Sequence, residues 1–145
     1  MTRHATSCGR DRGSVTLELA IVTPGVLILL GLAIVAGRIT AAGAAVEQAS
    51  AAAAREASLA RNPSDARAAA TRVATTSLSD RNLRCAGVQV TVDTTGFATD
   101  VGSPAQVEAR VTCTVALAAL AVPGLPGSRT LTASTTSVLD RYRSR

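Results

Sequence analysis

Apolar positions along this chain follow three successive patterns. The first runs from Leu19 to Gly37, 19 residues without a charge, LAIVTPGVLILLGLAIVAG, in which Thr23 is the single polar side chain. As a helix this stretch rises about 28 Å, close to the hydrocarbon thickness of a bilayer. A helix buried in a water-soluble domain carries polar positions every turn, and this one does not. The Thr23 hydroxyl can bond back to its own helix. The pattern predicts a membrane-spanning helix over 14–37.

The second pattern is helical in period but weaker in hydrophobicity. After Arg38 the chain reads ITAAGAAVEQASAAAAREASLARN. Ala is the best helix former, with Glu, Gln and Arg close behind. Ile39, Ala42, Val46, Ala49, Ala53, Ala57 and Ala60 follow one helical face. The spacing predicts that the first helix continues outward and ends near Asn62. From about Val15 to Ala60 such a helix is roughly 70 Å long. A water-soluble domain of 145 residues needs no helix of that length. It has the form of a stalked subunit that packs against copies of itself, its small residues letting neighbouring helices approach closely. A low-complexity helical linker is the other reading. Asn62-Pro63-Ser64-Asp65 then combines a capping Asn, Pro at the first position and an acid in the first turn. It predicts a second helix to about Ser79, with Ala66, Ala69, Ala70, Val73, Ser77 and Leu78 on one face.

Beyond Asp80 the period becomes two. Val88, Val90 and Val92 alternate with polar neighbours, and Val107, Ala109, Val111, Cys113, Val115 and Leu117 do the same. Both segments predict half-buried strands. Thr94 to Pro104 reads as their connecting loop, and Pro123-Gly124-Leu125-Pro126-Gly127 as a second turn cluster. Thr130 to Leu139 is Thr-rich and predicts a third strand at an edge. The fold class is α+β: a long N-terminal transmembrane helix extending into a stalk, a short second helix, and a small three-stranded antiparallel sheet.

Matching the apolar faces of the first two strands pairs an even residue with an odd one. Val92 opposite Val107 does so and makes Cys85 and Cys113 level but one residue out of phase. A bulge at Gly87, or a loop conformation at Cys85, corrects the phase.

Composition removes several functional classes. The chain has 15 Arg and no Lys against 10 acids, a net charge of +5, one His, three Cys and two aromatics, Phe97 and Tyr142. One His and three Cys are poor material for a metal site or a nucleophile–base pair. Two aromatics offer no stacking platform for single-stranded nucleic acid. Alanine fills 29 positions, so large core side chains are scarce. The reading is a non-catalytic protein without cofactor or metal and with no direct nucleic-acid contact.

Charge flanking the apolar run sets its orientation. Arg3, Arg10 and Arg12 oppose only Asp11 before it, whereas Arg38 is followed by Glu47 and then no Arg until Arg55. The short Arg-rich side is expected in the cytoplasm, leaving 38–145 as an extracytoplasmic domain. Cys85 and Cys113 then fall where disulfides persist, while Cys8 stays inside. A Cys85–Cys113 bridge is the first reading and two buried free thiols the second. His4 is a lone residue with no role, and Arg141, Arg143 and Arg145 form a basic tail.

The most informative motif is Arg12-Gly13-Ser14-Val15-Thr16-Leu17-Glu18-Leu19. A short basic leader ends in Gly, and a Glu stands five residues later at the mouth of the apolar helix. Burying that carboxylate in hydrocarbon costs several kcal/mol unless it stays interfacial or is paired. Cleavage after Gly13 would create an amine on Ser14, one helical turn from Glu18, able to neutralise it within or between subunits. The helix dipole also favours an acid in the first turn. An interfacial acid of an ordinary anchor is the alternative. Pro24 removes one backbone bond and either kinks the helix or is simply tolerated there.

At these residues the sequence resembles the type IV pilin superfamily, and in particular the TadE-like pseudopilins of tight-adherence (Flp-type) pilus systems. The resemblance rests on Gly13, on Glu18, and on the apolar run through Thr23-Pro24-Gly25. It extends loosely to the small strand-rich body with two Cys and to Asp140-Arg141-Tyr142-Arg143. It implies removal of residues 1–13 between Gly13 and Ser14 by a membrane aspartic prepilin peptidase. It further implies insertion into or beneath a pilus, with other pilins, pilus-platform membrane proteins and membrane lipid as partners. The location implied is the cell membrane, single-pass, and an extracellular pilus after assembly. Major Flp pilins usually have Tyr beside the Glu, where this chain has Leu19, and its body is far larger, which matches the minor pseudopilin branch. Two rivals differ in class: an uncleaved single-pass membrane protein with an exported binding domain, and a secreted protein cut at Ala42-Gly43-Ala44. The mature N-terminus separates them, as Ser14, Met1 or Thr2, and Ala45 respectively.

Overall fold

The computed structural model describes residues 12–100, 102–120 and 126–140, with side chains from Glu18 onward except those of 119 and 120. Residues 1–11, including His4 and Cys8, positions 123–125 of the second turn cluster and the Arg141–Arg145 tail lie outside the described residues. The order of elements is helix α1 (Arg12–Leu59), helix α2 (Pro63–Asp80), strand β1 (Cys85–Asp93), a 3-10 turn (Thr95–Ala98), strand β2 (Gln106–Ala116), the single turn α3 (Leu117–Leu120) and strand β3 (Ser128–Val138). The architecture is α+β, with a three-stranded antiparallel sheet in the order β1-β2-β3. Contacts divide the chain into two units, Met1–Ala36 and Gly37–Arg145.

In the first unit α1 is long and apolar enough to cross a membrane. Ten large apolar side chains from Leu19 to Ile34 are each more than half exposed, among them Ile21 and Leu29 at 71%. Burying a side chain of this size is worth about 1.5–3 kcal/mol, so this surface in water forgoes more than the whole stability of a typical domain. Lipid or neighbouring helices have to cover it. Thr23 donates its hydroxyl to the Leu19 carbonyl at 2.6 Å, which satisfies the one polar side chain of the stretch. The helix continues through Pro24 without interruption.

The second unit holds the core. Along α1, Ala42, Ala45, Val46, Ala49, Ala53, Ala54 and Ala57 are buried. All of these but Ala45 cluster with Ala66, Ala70, Ala74 and Leu78 of α2 and with Val107, Ala109, Val111, Cys113 and Val115 of β2. This corrects the expectation that the Ala face from Ala42 to Ala60 packs against copies of the chain. That face is spent on the chain's own sheet, and Ala53 is 0% exposed. Small side chains let the helices lie close to the sheet, just as they would let helices approach each other. Ser50, also fully buried, has its hydroxyl satisfied twice, by the Glu47 carbonyl and by Thr135 of β3, both at 2.8 Å.

Helix α2 starts where its sequence signals it. Asn62 is extended (φ −143°, ψ 162°), and its side-chain oxygen accepts the Asp65 N–H at 2.8 Å, with Pro63 first in the helix. At the other end the Leu83 N–H reaches the Leu78 carbonyl at 3.1 Å and the Asn82 N–H reaches Ser79 at 2.9 Å. Asn82 has φ +54°. This is the Schellman closure, with Asn in the left-handed position commonly held by Gly, and it sets Leu83 beside Leu78.

The strand faces are those of the sequence pattern, but the register is not. Val92 lies opposite Ala109, Val90 opposite Val111 and Val88 opposite Cys113. The expected Val92–Val107 pairing is therefore two residues off. Face matching fixes only whether the slip is odd or even, and a two-residue slip keeps every side chain on its face. The connecting loop decides the rest. It contains the 3-10 turn, whose Phe97 is buried in the core. A Cβ on Gly96 would collide with the Gln106 carbonyl, so only glycine permits this close approach. Strand β3 occupies an edge, and its alternate residues Leu131, Ala133, Thr135 and Ser137 are half-buried.

Candidate functional site

Gly13 and Ser14 lie in the first turn of α1, and their side-chain surroundings lie outside the described residues. Glu18 follows Ser14 by four positions on the same helix, so the two share one face about 6 Å apart along the axis. The Glu18 side chain is exposed, and the next residue, Leu19, begins the uncovered apolar surface. Among the described residues Glu18 has no hydrogen bond or ion pair. The carboxylate thus stands at a boundary. On its N-terminal side are the first-turn N–H groups of α1, whose dipole favours a negative charge. On its C-terminal side are ten large side chains that water does not stabilise. Such a group either stays at an aqueous interface or takes a cationic partner, because a lone carboxylate in hydrocarbon is costly.

The second feature marked in the sequence is the cysteine pair. Cys85 and Cys113 form a disulfide with their Cα atoms 5.5 Å apart. The strand pairing explains how. Cys85 lies opposite Val115 and Gly87 opposite Thr114, so Ala86 is an extra residue in β1. This bulge restores the phase that straight pairing lacks and puts Cys85 on the same sheet face as Cys113. Cys113 is fully buried, so the bridge fastens the β1 edge to the central strand inside the core. It is 28 residues in separation and belongs to the second unit alone.

Polar chemistry elsewhere is local. Asp93, at the end of β1, accepts the Thr95 N–H at 2.9 Å. That backbone bond, with a second from the Thr95 side chain, holds its carboxyl below the usual Asp value. Arg67 of α2 donates to the Thr94 hydroxyl at 2.7 Å, tying the same loop to the helix. No group of three or more His, Cys, Asp or Glu that could hold a metal ion occurs among the described residues.

The chain matches no family model, no curated protein and no solved structure.

Proposed function

We propose that this protein is a minor pilin or pseudopilin of the TadE-like kind, a non-catalytic structural subunit for assembly of a tight-adherence type pilus. The observation that carries the reading is the five-residue step from Gly13 to Glu18 at the start of a helix whose next 19 residues are uncharged. Support comes from the continuity of α1 into a small α+β domain closed by a disulfide. In this reading the arginines of the leader hold the N-terminus in the cytoplasm, the helix crosses the cell membrane once, and the domain from 38 onward is exported. A prepilin peptidase cuts between Gly13 and Ser14. The new Ser14 amine then pairs with Glu18 of the same or a neighbouring subunit, where low dielectric strengthens the attraction. Other pilins and platform membrane proteins cover the apolar half of α1 as the subunit leaves lipid for the pilus.

The test is the N-terminal residue of the protein recovered from membranes of cells that express a prepilin peptidase. Ser14 is the expected result. Met1 or Thr2 would replace the reading with an uncleaved single-pass protein bearing an exported binding domain. Ala45 would make the apolar run a signal peptide.

A further inference from the structure

Arg38 directly follows the uncharged run, so its guanidinium is the first charge that α1 carries beyond the hydrocarbon. It does not stand alone. Arg38, Ala42 and Ala45 of α1 line a cleft of about 460 Å³ together with Arg81, Asn82 and Leu83 from the closure of α2. Arg84 lines an adjoining cleft that shares Asn82 and Leu83. Chain positions more than forty residues apart thus bring two arginines to one concavity, beside a third. The Schellman closure is what holds Arg81 there. Its hydrogen bonds use the Leu78 and Ser79 carbonyls and fix the backbone at Asn82. Among the described residues, neither Arg38 nor Arg81 has an ion pair, and no acid lines the cleft. Ala42, Ala45 and Leu83 give it an apolar floor.

The geometry points to an anionic phospholipid site. The lipid phosphate sits between the guanidinium groups of Arg38 and Arg81, which suit its oxygens in the bidentate manner of arginine. The outer headgroup rests over Ala42, Ala45 and Leu83, which lie on the far side of Arg38 from the apolar run, and the acyl chains leave on the other side of Arg38, in the bilayer. Phosphate chemistry alone would also admit a soluble phosphate. The position of Arg38 at the end of the apolar run favours the lipid, because that is where headgroups are and where a chain can follow its phosphate into the bilayer. Arginines at this boundary also run against the ordinary bias of exported flanks. Binding lipid gives these charges a counter-ion at the surface they cannot leave. The inference depends on the membrane-spanning helix and not on pilus assembly.

The experiment uses the full chain in nanodiscs of phosphatidylcholine alone or with about 30% phosphatidylglycerol, and counts retained lipids by native mass spectrometry. The expected result is preferential retention of phosphatidylglycerol by the wild type. Arg38→Gln and Arg81→Gln should each cut that preference about fivefold, the worth of one basic residue at an anionic surface. Arg72→Gln, on the exposed side of α2, should leave it unchanged. Absence of thiol labelling at Cys85 and Cys113 in each variant, with Cys8 as the one reactive thiol, checks that the bridge of the domain is intact. Equal retention of both lipids would overturn the site. So would an equal loss in Arg72→Gln, or inorganic phosphate displacing the retained lipid. Failure of the chain to enter discs of either composition would overturn the span itself, a result distinct from insertion without preference.

Discussion

Ser50 of α1 and Thr135 of β3 share a hydrogen bond of 2.8 Å across the interface between helix and sheet. Eighty-five residues apart in the chain, they fix the helix at one height on the strand. Lower on the same pair of elements, Ser137 donates to Ser58 at 3.2 Å. Ser50→Ala should cost about 1 kcal/mol, because Thr135 loses a partner in a half-buried place. Ser50→Leu should cost more, about 1–3 kcal/mol, by forcing apart a close contact. Thermal unfolding of the detergent-solubilised chain, followed by circular dichroism, checks both the order and the size.

Ala53 is the sharper probe of how α1 is used. Its methyl group is fully buried against the chain's own core. Ala53→Arg should therefore abolish folding of the second unit, since an unpaired buried charge costs several kcal/mol. Rapid proteolysis of the exported domain would register this. A folded Ala53→Arg domain that failed only to assemble would instead restore the idea of an intermolecular Ala face.

The disulfide offers a third measurement. Its 28-residue separation gives about 3.5 kcal/mol in the chain-entropy treatment. The paired variant Cys85→Ser/Cys113→Ser should melt about 10–20 °C below the wild type. Under denaturation without reductant, neither Cys85 nor Cys113 should take up a thiol reagent. Labelling at both would contradict the bridge.

Acid should loosen the loop after β1 before the rest. The Asp93 carboxyl is held below its ordinary value of 3.8 by the Thr95 backbone N–H and then by its side chain. A lowered folded pKa means that the stabilisation is complete above the unfolded value. It fades as pH falls below about 4 and through the folded value. Asp93→Asn should flatten the stability profile in that acid window and leave neutral pH nearly unchanged. Melting temperatures at a series of pH values from neutral to strongly acid make the comparison.

Two substitutions at the mouth of the helix separate a pilin from a plain anchor. Gly13→Leu should block removal of the leader, because a branched side chain cannot fit where a peptidase needs bare backbone. Glu18→Ala should still insert and still be cut, yet fail to enter the pilus, leaving the Ser14 amine unmatched between subunits. N-terminal sequencing with co-purification from sheared filaments reads both. Normal incorporation of the Glu18 variant would sink the pairing.

By itself the sequence determined the membrane-crossing length of Leu19–Gly37, the Asn62 cap, the strand faces and the α+β order. Each depends on residues close in the chain, through helical rise, capping hydrogen bonds or a period of two. It also marked Gly13 and Glu18, whose spacing is local. Tertiary structure alone decided three things. The Ala face of α1 meets its own sheet because small side chains suit close approach to any partner, and composition cannot say which. The register of β1 on β2 depends on the 3-10 turn, where Phe97 fills the core and Gly96 passes the Gln106 carbonyl. Arg38 and Arg81 share a cleft because the fold brings the end of α2 to the same concavity as α1, over a separation that no periodicity records.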